Sequence, residues 1–377
     1  MPPHVYKHLF TGKYVLYVFQ KKYTGGRIMY IDEKTEFEAH RAKIMVFGCG
    51  GGGCNTINRL TEMNVQGAAT VALNTDARHL ASIKAHKKVL IGKELTKGLG
   101  AGGYPDIGKK AAEESKSEIK ELLKDCDLLF ITCGLGGGTG TGSAPVIARY
   151  AKELGTIVIG TVTLPFKIEG ARIGKAEEGL DELRKFCDTV IAIENQRLVE
   201  LAGNRPLKEA FGVADSLIAT MIKGITETIS QPSLVNLDFA DVKAIMKHGG
   251  VATIGYGEAD SDMDDRAMYA VKKAMNHPLL DADYHGATGA LIQVIGGEDM
   301  KLDEIAVIGE YISSHMNPNA TVMWGARILP ELRGKLQVIT IVTGVHSPHI
   351  TGRSMLAESS PMAKSKLSQE LGIEIVV

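Results

Sequence analysis

Short apolar segments rich in β-branched residues alternate with helical patterns from Lys43 onward. In chain order they read KIMVFG, ATVALNTD, KKVLIG, DLLFITCG, TIVIGTVTLP and TVIAIEN. Strands separated by helices are typical of a parallel sheet with crossover connections. One helical stretch carries apolar residues at a spacing that indicates core packing: Ile173, Ala176, Leu180, Leu183 and Phe186. The pattern predicts an α/β domain over residues 42–205.

A long amphipathic helix is predicted next, over residues 206–230. Pro206 opens it, as expected for proline in a first helical turn. Its apolar face is formed by Leu207, Phe211, Ala214, Leu217, Met221, Ile225 and Ile229. A helix of about 25 residues would be roughly 37 Å long.

A second, smaller mixed α/β domain is predicted over residues 231–345. Its strand patterns are VATIGYGEAD, GALIQVIGG, TVMWGARIL and KLQVITIVTG. They alternate with two helical patterns, Asp265 to Asn276 and Leu302 to Met316.

The two ends of the chain differ from these domains. Residues 346–377 contain Ser, Pro, Lys and Glu with little periodicity before KLSQELGIEIVV, which predicts a flexible tail with one apolar end. Residues 1–41 form an N-terminal extension. Within it, TGKYVLYVFQKKY is either an added strand or hairpin or a consequence of start-site choice, since Met29 offers another start.

Composition narrows the classes of function. The 377 residues are 44% hydrophobic and 23% charged, enough for two packed domains. The net charge of -1 is spread along the chain and offers no basic face for nucleic acid. Five cysteines without a CxxC pair indicate free thiols in a reducing, cytoplasmic compartment. The early apolar run from Tyr14 to Phe19 is far shorter than the roughly 20 residues of a membrane span.

The segment FGCGGGGCN, from Phe47 to Asn55, lies between a predicted strand and a predicted helix. A bare glycine backbone there can approach a phosphate, and the helix N-terminus supplies N–H donors. A dinucleotide-binding site has nearly the same glycines, and a plain strand-to-helix turn would explain one or two of them. The segment alone therefore leaves the ligand open.

A second segment, GLGGGTGTGSAP from Gly134 to Pro145, is more specific. It follows DLLFITC and precedes a helix predicted to start at about Ser143, so two helix N-termini are expected to meet at one anion. A dehydrogenase needs only one such segment.

The glycine segments carry no positive charge of their own. No GxxxxGK[ST] motif occurs, and neither glycine segment contains Lys or Arg. Backbone N–H groups, helix dipoles and a bound Mg²⁺ are therefore expected to neutralise the phosphates.

These motifs resemble a known family. GGGTGTG is similar to the signature of tubulin and FtsZ, and NLDFADVK, Asn236 to Lys243, resembles the catalytic loop of FtsZ rather than that of tubulin. The resemblance covers about residues 43–345 and suggests an FtsZ of the archaeal type. It implies a Rossmann-like parallel-sheet GTP-binding domain, a long central helix and a smaller GTPase-activating domain, with GTP or GDP and Mg²⁺ as ligands and no all-protein metal site.

The resemblance also implies the nucleotide-binding residues. Those expected near the phosphates and metal are Gly50, Gly51, Gly52, Gly53, Asn55, Asn74, Asp76, Gly100, Ala101, Gly102, Gly103, Gly136, Gly137, Gly138, Thr139, Gly140, Thr141 and Gly142. Those expected near the guanosine are Pro165, Glu169, Arg172, Asn195, Phe211 and Asp215.

Among these residues, Asp76 is implied to lie near the metal and Glu169 to contact the ribose. Arg172 is implied as a basic residue near the nucleotide, although the chain is one residue shorter after Glu169 than the bacterial pattern. Phe211 either packs on the base or is ordinary helix core. A carboxylate at Asp215 accepts from guanine N1–H and the exocyclic amine, whereas adenine presents an acceptor at N1, so GTP is favoured over ATP.

The resemblance implies that Asn236, Asp238 and Asp241 act in catalysis. From Asp215 to Ser230 the predicted helix rises about 22 Å, so this acidic pair cannot reach the nucleotide of its own copy. A neighbouring copy must supply it, and a repeated head-to-tail contact gives an open filament. NLDFAD can equally cap the following helix, and the two roles are compatible. Lys243 is either a solvated charge or an interface contact.

Three hypotheses follow. The first is a cytoplasmic, self-assembling GTPase that forms head-to-tail protofilaments of the cell-division ring at midcell. The second is a related nucleotide-bound filament scaffold with little turnover, and the third is an NAD-dependent oxidoreductase. The resemblance further suggests that the terminal LGIEIVV, Leu371 to Val377, binds a membrane-linked adaptor protein. A random coil without a partner is the alternative for the tail. Neither nucleic-acid binding nor direct membrane insertion is expected.

Overall fold

The computed structural model describes residues 42–202, 204, 206–231, 233–235, 237–246, 250–260, 263, 265–276 and 283–345. The predicted N-terminal extension and the predicted tail lie outside these residues. Among the helices that the structure describes, none is both long enough and apolar enough to cross a membrane.

Six parallel strands form the first part of the sheet, as predicted. They are β1 (Ile44–Cys49), β2 (Ala68–Asn74), β3 (Lys87–Leu90), β4 (Leu128–Gly134), β5 (Ile157–Leu164) and β6 (Thr189–Glu194). Their spatial order is β3-β2-β1-β4-β5-β6, and β1 is paired with β2 on one side and β4 on the other. The order changes direction between β1 and β4, and the crevice at the carboxyl ends of such a pair is the usual ligand position in α/β sheets.

Helices cover both faces of these strands. They are α1 (Gly50–Glu62), α2 (Ala77–Ser82), α3 (Lys93–Thr96), α4 (Pro105–Glu114), α5 (Lys116–Leu123), α6 (Thr139–Glu153), α7 (Ala171–Arg184), α8 (Asn195–Ala202) and α9 (Leu207–Ser230). One core cluster contains residues of α1 and α9, and a second contains residues of α4, α6 and α7. Because both faces are covered, the strands β1 and β4 are buried along almost their whole length.

The helix that follows β4 begins earlier than predicted. Its first residue is Thr139, with Gly138 as the N-cap, whereas the sequence predicted a start at about Ser143. Glycine is a poor helix former, so the pattern favoured a loop through this segment. Close packing of α6 against α4 explains the glycine at position 142, because a Cβ there would lie 1.9 Å from the carbonyl oxygen of Pro105.

The long helix α9 confirms the predicted amphipathic stretch. It has 24 residues, is preceded by Pro206, and spans about 36 Å at 1.5 Å per residue. Its buried positions include Ala214, Leu217, Met221 and Ile225, as the periodicity indicated.

The remaining elements form the predicted mixed part of the fold. They are α10 (Phe239–Met246), β7 (Gly250–Asp260), α11 (Arg266–Met275), β8 (Gly289–Gly296), α12 (Leu302–Ser314), β9 (Thr321–Ile328) and β10 (Lys335–Thr343). Their strand order is β7-β10-β8-β9, with β10 antiparallel to both neighbours and β8 parallel to β9. Strand β7 joins β6 through two residue pairs, so ten strands form one continuous sheet.

Replacement of a packed glycine tests the contact between α4 and α6. Gly142→Ala is expected to lower the free energy of unfolding by about 1–3 kcal/mol, because the new methyl group overlaps the α4 backbone. Gly309→Ala in α12 is the matched control, since a Cβ there meets nothing within 4 Å. The control is expected to gain up to about 1 kcal/mol from helix propensity. Urea unfolding followed by circular dichroism measures both, and equal stability of the two variants would contradict this packing.

Candidate functional site

The two glycine segments touch each other at the carboxyl ends of β1 and β4. Gly50 has a φ of +70°, and a Cβ on it would lie 2.7 Å from the nitrogen of Gly140. A Cβ on Gly140 would in turn lie 2.9 Å from the carbonyl oxygen of Cys49. Side chains are therefore excluded at this crossing. The prediction that two helix N-termini come together is supported by this backbone contact.

The N-termini of α1 and α6 are suited to an anion. In the part of the chain that the structure describes, no side chain caps the first turn of either helix, so their first N–H groups have no capping acceptor there. A Cβ on Gly51 would meet nothing within 4 Å, which leaves open space above the first turn of α1. Uncapped N–H groups and the positive ends of two helix dipoles together form a phosphate-binding arrangement.

The GAGG segment, Gly100 to Gly103, lies against the second glycine segment. A Cβ on Gly138 would lie 2.9 Å from the Ala101 Cβ and 3.1 Å from the nitrogen of Gly103. The nitrogen of Gly100 also donates to the carbonyl oxygen of Thr75 at 3.1 Å. Three segments that are far apart in sequence thus form one rim.

The threonines of the second segment brace this rim. The Thr139 and Thr75 hydroxyls are 2.6 Å apart, and the Thr141 hydroxyl accepts from the nitrogen of Gly136 at 2.9 Å. Both Thr139 and Thr141 are buried. Their expected role as donors to a phosphate stays a prediction, and the structure gives each of them a further role in holding the loop.

A histidine joins two of the predicted asparagines. Asn74 is buried, and its Oδ1 accepts from the nitrogen of Thr75 at 2.9 Å. Its Nδ2 is 3.2 Å from Nδ1 of His79, and Nε2 of the same ring is 3.2 Å from Oδ1 of Asn55. His79 therefore ties the loop after β2 to helix α1. The sequence reasoning missed this residue, because it belongs to no glycine motif.

Asp76 caps the short helix α2. Its Oδ1 accepts from the nitrogens of Arg78 and His79, at 2.9 and 3.0 Å. The cap fixes the carboxylate beside Gly100, where a Cβ would lie 4.0 Å from the Asp76 Cβ. Within the described part of the chain, no group of three or more His, Cys, Asp or Glu side chains is placed to hold a metal ion.

The predicted pair Glu169 and Arg172 is joined by a direct ion pair. The Arg172 guanidinium donates to Glu169 Oε2 at 2.6 Å, and Arg172 is 60% exposed. The start of α7 lies against the second glycine segment, because a Cβ on Gly136 would be 2.8 Å from the Arg172 carbonyl oxygen. The two glycine segments together form the phosphate cradle. The structure places Arg172 at the edge of this cradle, in spite of the one-residue difference in spacing after Glu169.

Lys175 supplies a cation that the sequence reasoning missed. Its Nζ donates to the carbonyl oxygen of Gly103 at 2.7 Å and lies 5.4 Å from the centre of the Tyr104 ring. Lys175 belongs to neither glycine segment and reaches the rim from α7. Its position on the helix face towards the rim was the available signal.

The predicted base-binding residues lie on α8 and α9. Asn195 begins α8, and its Oδ1 is buried without a hydrogen-bond partner among the described residues, which is unusual for a buried acceptor. Asp215 on α9 accepts from the Thr56 hydroxyl at 3.2 Å, and burial raises its pKa to about 6. The backbone of Phe211 belongs to α9, but its side chain lies outside the description. Pro165 follows β5 directly and is partly buried.

The acidic pair forms a reciprocal cap at the start of α10. The nitrogen of Asp241 donates to Asp238 Oδ1 at 2.8 Å, and the nitrogen of Asp238 donates to Asp241 Oδ2 at 3.0 Å. The capping role considered from the sequence is therefore confirmed. Asp238 is exposed and Asp241 is half-buried. Asn236, the third predicted member, lies outside the described residues.

The acidic pair and the glycine cradle lie at opposite ends of the parallel strands. Phe239 and Lys243 of α10 line a cleft of about 290 Å³ together with Cys126 and Ile157. Cys126 precedes β4 and Ile157 begins β5, so the cleft lies at the amino ends of these strands. The glycine segments follow the carboxyl ends. Seven residues of β4 alone span about 20 Å, so the structure does not bring Asp238 and Asp241 to the cradle of their own copy.

These features define a nucleotide-binding protein with a phosphate cradle at the switch point of a parallel sheet. Comparison with known families agrees. Residues 43–203 match the GTPase domain of the tubulin/FtsZ family, and residues 250–346 match the C-terminal domain of the FtsZ family.

Curated and solved relatives point to the same family. The chain is 57% identical over 317 residues to cell division protein FtsZ 2 of Methanocaldococcus jannaschii, covering 84% of this chain and 83% of the relative. It is 51% identical over 348 residues to cell division protein FtsZ 1 of Pyrococcus furiosus, covering 92% of each. A solved empty FtsZ dimer from M. jannaschii is 52% identical, with a TM-score of 0.77 over 81% of this chain and 89% of that chain.

The chain therefore belongs to the FtsZ family, the cell-division GTPases that form protofilaments. The hypothesis of a self-assembling GTPase is confirmed, and so are the tubulin/FtsZ fold and the binding of GTP or GDP. Membership of this family rules out the NAD-dependent oxidoreductase.

The raised pKa of Asp215 predicts a pH-dependent affinity for guanine nucleotides. The family resemblance implies that Asp215 faces the guanine; guanine donors would then stabilise the carboxylate, and GTP is expected to bind best when Asp215 is ionised. Since the pKa is raised to about 6, affinity is expected to be constant well above pH 6 and to fall by up to about tenfold per pH unit below it. Titration calorimetry with GTP between pH 5 and 8 measures the effect.

The control for this titration is Asp215→Asn, which removes the titrating group. The variant is expected to bind GTP more weakly and to show no inflection near pH 6. An unchanged affinity of the unmodified chain across this range would contradict the assignment of Asp215 to the base.

Proposed function

We propose that each GTP is bound by one copy of the chain and hydrolysed with the help of the acidic pair of the next copy. The observation that carries this proposal is the position of Asp238 and Asp241 at the amino ends of the strands, whereas the phosphate cradle lies at their carboxyl ends. A carboxylate must come within about 3 Å of the water it activates, or act through one further water. The structure within one copy does not meet this requirement.

In the proposed reaction, water attacks the γ-phosphorus and the bond to the β,γ-bridging oxygen breaks, giving GDP and inorganic phosphate. Asp238 or Asp241 of the neighbour accepts a proton of the attacking water. Asn236, in the same loop, positions that water. The reciprocal cap supports the proposed role of Asp238 and Asp241, because it holds both carboxylates at a fixed place on the surface.

The nucleotide-binding copy supplies the rest of the site. The uncapped N-termini of α1 and α6 and the GAGG segment bind the phosphates, Glu169 contacts the ribose, and Arg172 is the basic residue near the nucleotide. The unpaired Oδ1 of Asn195 accepts from a guanine donor, and Asp215 accepts from the N1–H edge. The assignment of Phe211 to the base follows from the family resemblance alone, because its side chain lies outside the description. The other assignments also follow the resemblance and are compatible with the contacts described above.

The described residues fit a Mg²⁺ ion that is held mainly by the nucleotide. Mg²⁺ usually keeps several waters and binds phosphates with one or two carboxylates, and Asp76 is the carboxylate fixed beside the GAGG segment. When bound, the ion offsets the charge of the β- and γ-phosphates. Lys175, at the rim, adds a further positive charge.

The proposed domains are the GTP-binding domain at residues 42–205, the central helix at residues 206–230 and the GTPase-activating domain at residues 231–345.

Repetition of one head-to-tail contact builds a protofilament. Exposed apolar side chains occur at both ends: Leu99 is 83% exposed beside the cradle, and Leu234 is 69% exposed in the segment before the acidic pair. A solved archaeal relative with the same fold, CetZ2 from Haloferax volcanii, is described as a GTPγS-bound protofilament.

We further propose that the filament acts in the cytoplasm at the division site, through a membrane-linked adaptor that binds Leu371 to Val377. The names of the curated relatives support a role in division. The apolar, β-branched end of the sequence supports a peptide that adds to a sheet edge or groove.

Mixing two inactive variants tests the shared site. Asp241→Asn removes the acidic charge but keeps an acceptor for the cap, and it is expected to lower turnover by roughly 10²-fold or more. Gly51→Asp places a carboxylate in open space beside the phosphates, so it should block GTP binding without a clash. A mixture should hydrolyse GTP clearly faster than either variant alone, as measured by phosphate release. A mixture that is only the sum of its parts would argue against catalysis between copies.

Deletion of Leu371 to Val377 tests the tail. Sedimentation with GTP is expected to be unchanged, because the nucleotide site and the acidic pair are retained. Recruitment of the fluorescently labelled chain to the division site should be lost. A second variant, Ile373→Asp with Ile375→Asp, keeps the length of the tail but removes two of its apolar side chains. It should lose recruitment as well. Normal recruitment of both variants would rule out the proposed peptide.

A further inference from the structure

Ile168 is an exposed apolar residue on a firmly held turn. It is 92% exposed, in a short 3₁₀ turn that follows strand β5. The nitrogen of Lys167 donates to Gln196 Oε1 at 3.1 Å, and the nitrogen of Phe166 donates to Glu169 Oε1 at 3.0 Å. Isolated exposed apolar residues are common. Because this turn is held by hydrogen bonds on both sides of Ile168, however, it presents the Ile168 side chain in a fixed direction.

The cleft beside α10 has a mixed lining, and its apolar part can receive such a side chain. Its apolar residues are Leu154, Ile157, Cys126 and Phe239, and its volume is about 290 Å³. Leu154 is 48% exposed, so part of this lining remains in contact with solvent in the single copy. The rest of the lining is formed by Gly155 and by four charged residues: Lys124, Asp125, Asp127 and Lys243.

The turn and the cleft lie at opposite ends of the same strand. Ile157 begins β5 and lines the cleft, whereas Ile168 follows the carboxyl end of β5 by four residues. In a head-to-tail repeat in which copies are related mainly by translation along the strands, the end of β5 in one copy faces the beginning of β5 in the next. The two features therefore meet in such a filament.

We propose that Ile168 of one copy inserts into the cleft beside α10 of the next copy. This inference rests on the proposed head-to-tail assembly. It adds a specific contact next to the helix that begins with the acidic pair. Lys167, which is exposed beside Ile168, can pair with Asp125 or Asp127 at the rim of the cleft. Insertion seats α10 against the nucleotide-side turn of the neighbour and so holds the acidic pair towards its phosphates.

Substitution of Ile168 tests how much this contact contributes to the stability of the filament. Ile168→Glu removes an apolar side chain and adds a charge, so the critical concentration for assembly with GTP is expected to rise roughly tenfold or more. Affinity of the unassembled chain for GTP should be unchanged. The matched control is Leu302→Glu, at a residue of α12 that is 74% exposed, and it should assemble normally. Normal assembly of Ile168→Glu would overturn the inference.

Crosslinking identifies the partner surface. A chain with Ile168→Cys and Leu154→Cys, treated with a short bismaleimide during assembly, is expected to give a ladder of covalent oligomers that requires GTP. The control pair, Leu302→Cys with Leu154→Cys, should give none. Filaments in the electron microscope without a ladder from the first pair would overturn the inference and leave the proposed assembly intact. A failure of the unmodified chain to form filaments would overturn both.

Discussion

The polarity of the parallel sheet is the constraint on which the rest of the structure depends. All six strands from β1 to β6 run in one direction, so every segment that follows a strand lies at one end of the molecule and every segment that precedes one lies at the other. The phosphate cradle uses the first end and the acidic pair uses the second. Nucleotide binding and water activation are thereby separated within one copy, and assembly becomes part of the proposed chemistry.

The cradle shows how glycine serves two purposes in the same segment. Gly50 and Gly140 let two loops touch backbone to backbone, and Gly142 lets α6 pack on α4. The same absence of side chains leaves the uncapped helix N-termini open to a ligand. His79, Lys175 and the threonine pair Thr75 and Thr139 tie the surrounding loops together, so contacts within the protein hold much of the site in place. Such preorganisation lowers the entropic cost of binding.

The sequence predicted the strands, the long helix and the two glycine segments, because these depend on local periodicity and on residue types with few alternatives. It missed the start of α6, since four glycine and threonine positions form a first turn that propensity disfavours. His79 and Lys175 were also missed, because their partners are brought close only by the fold. The raised pKa of Asp215 required knowledge of its burial against α1. The roles assigned to single residues rest on the family resemblance.

Turnover per molecule as a function of protein concentration tests the central claim most directly. If the acidic pair works on the nucleotide of a neighbour, the rate of phosphate release per chain at saturating GTP must rise steeply as copies begin to associate and then level off. A rate per chain that is the same in dilute solution, where light scattering shows only single copies, would contradict a site shared between subunits.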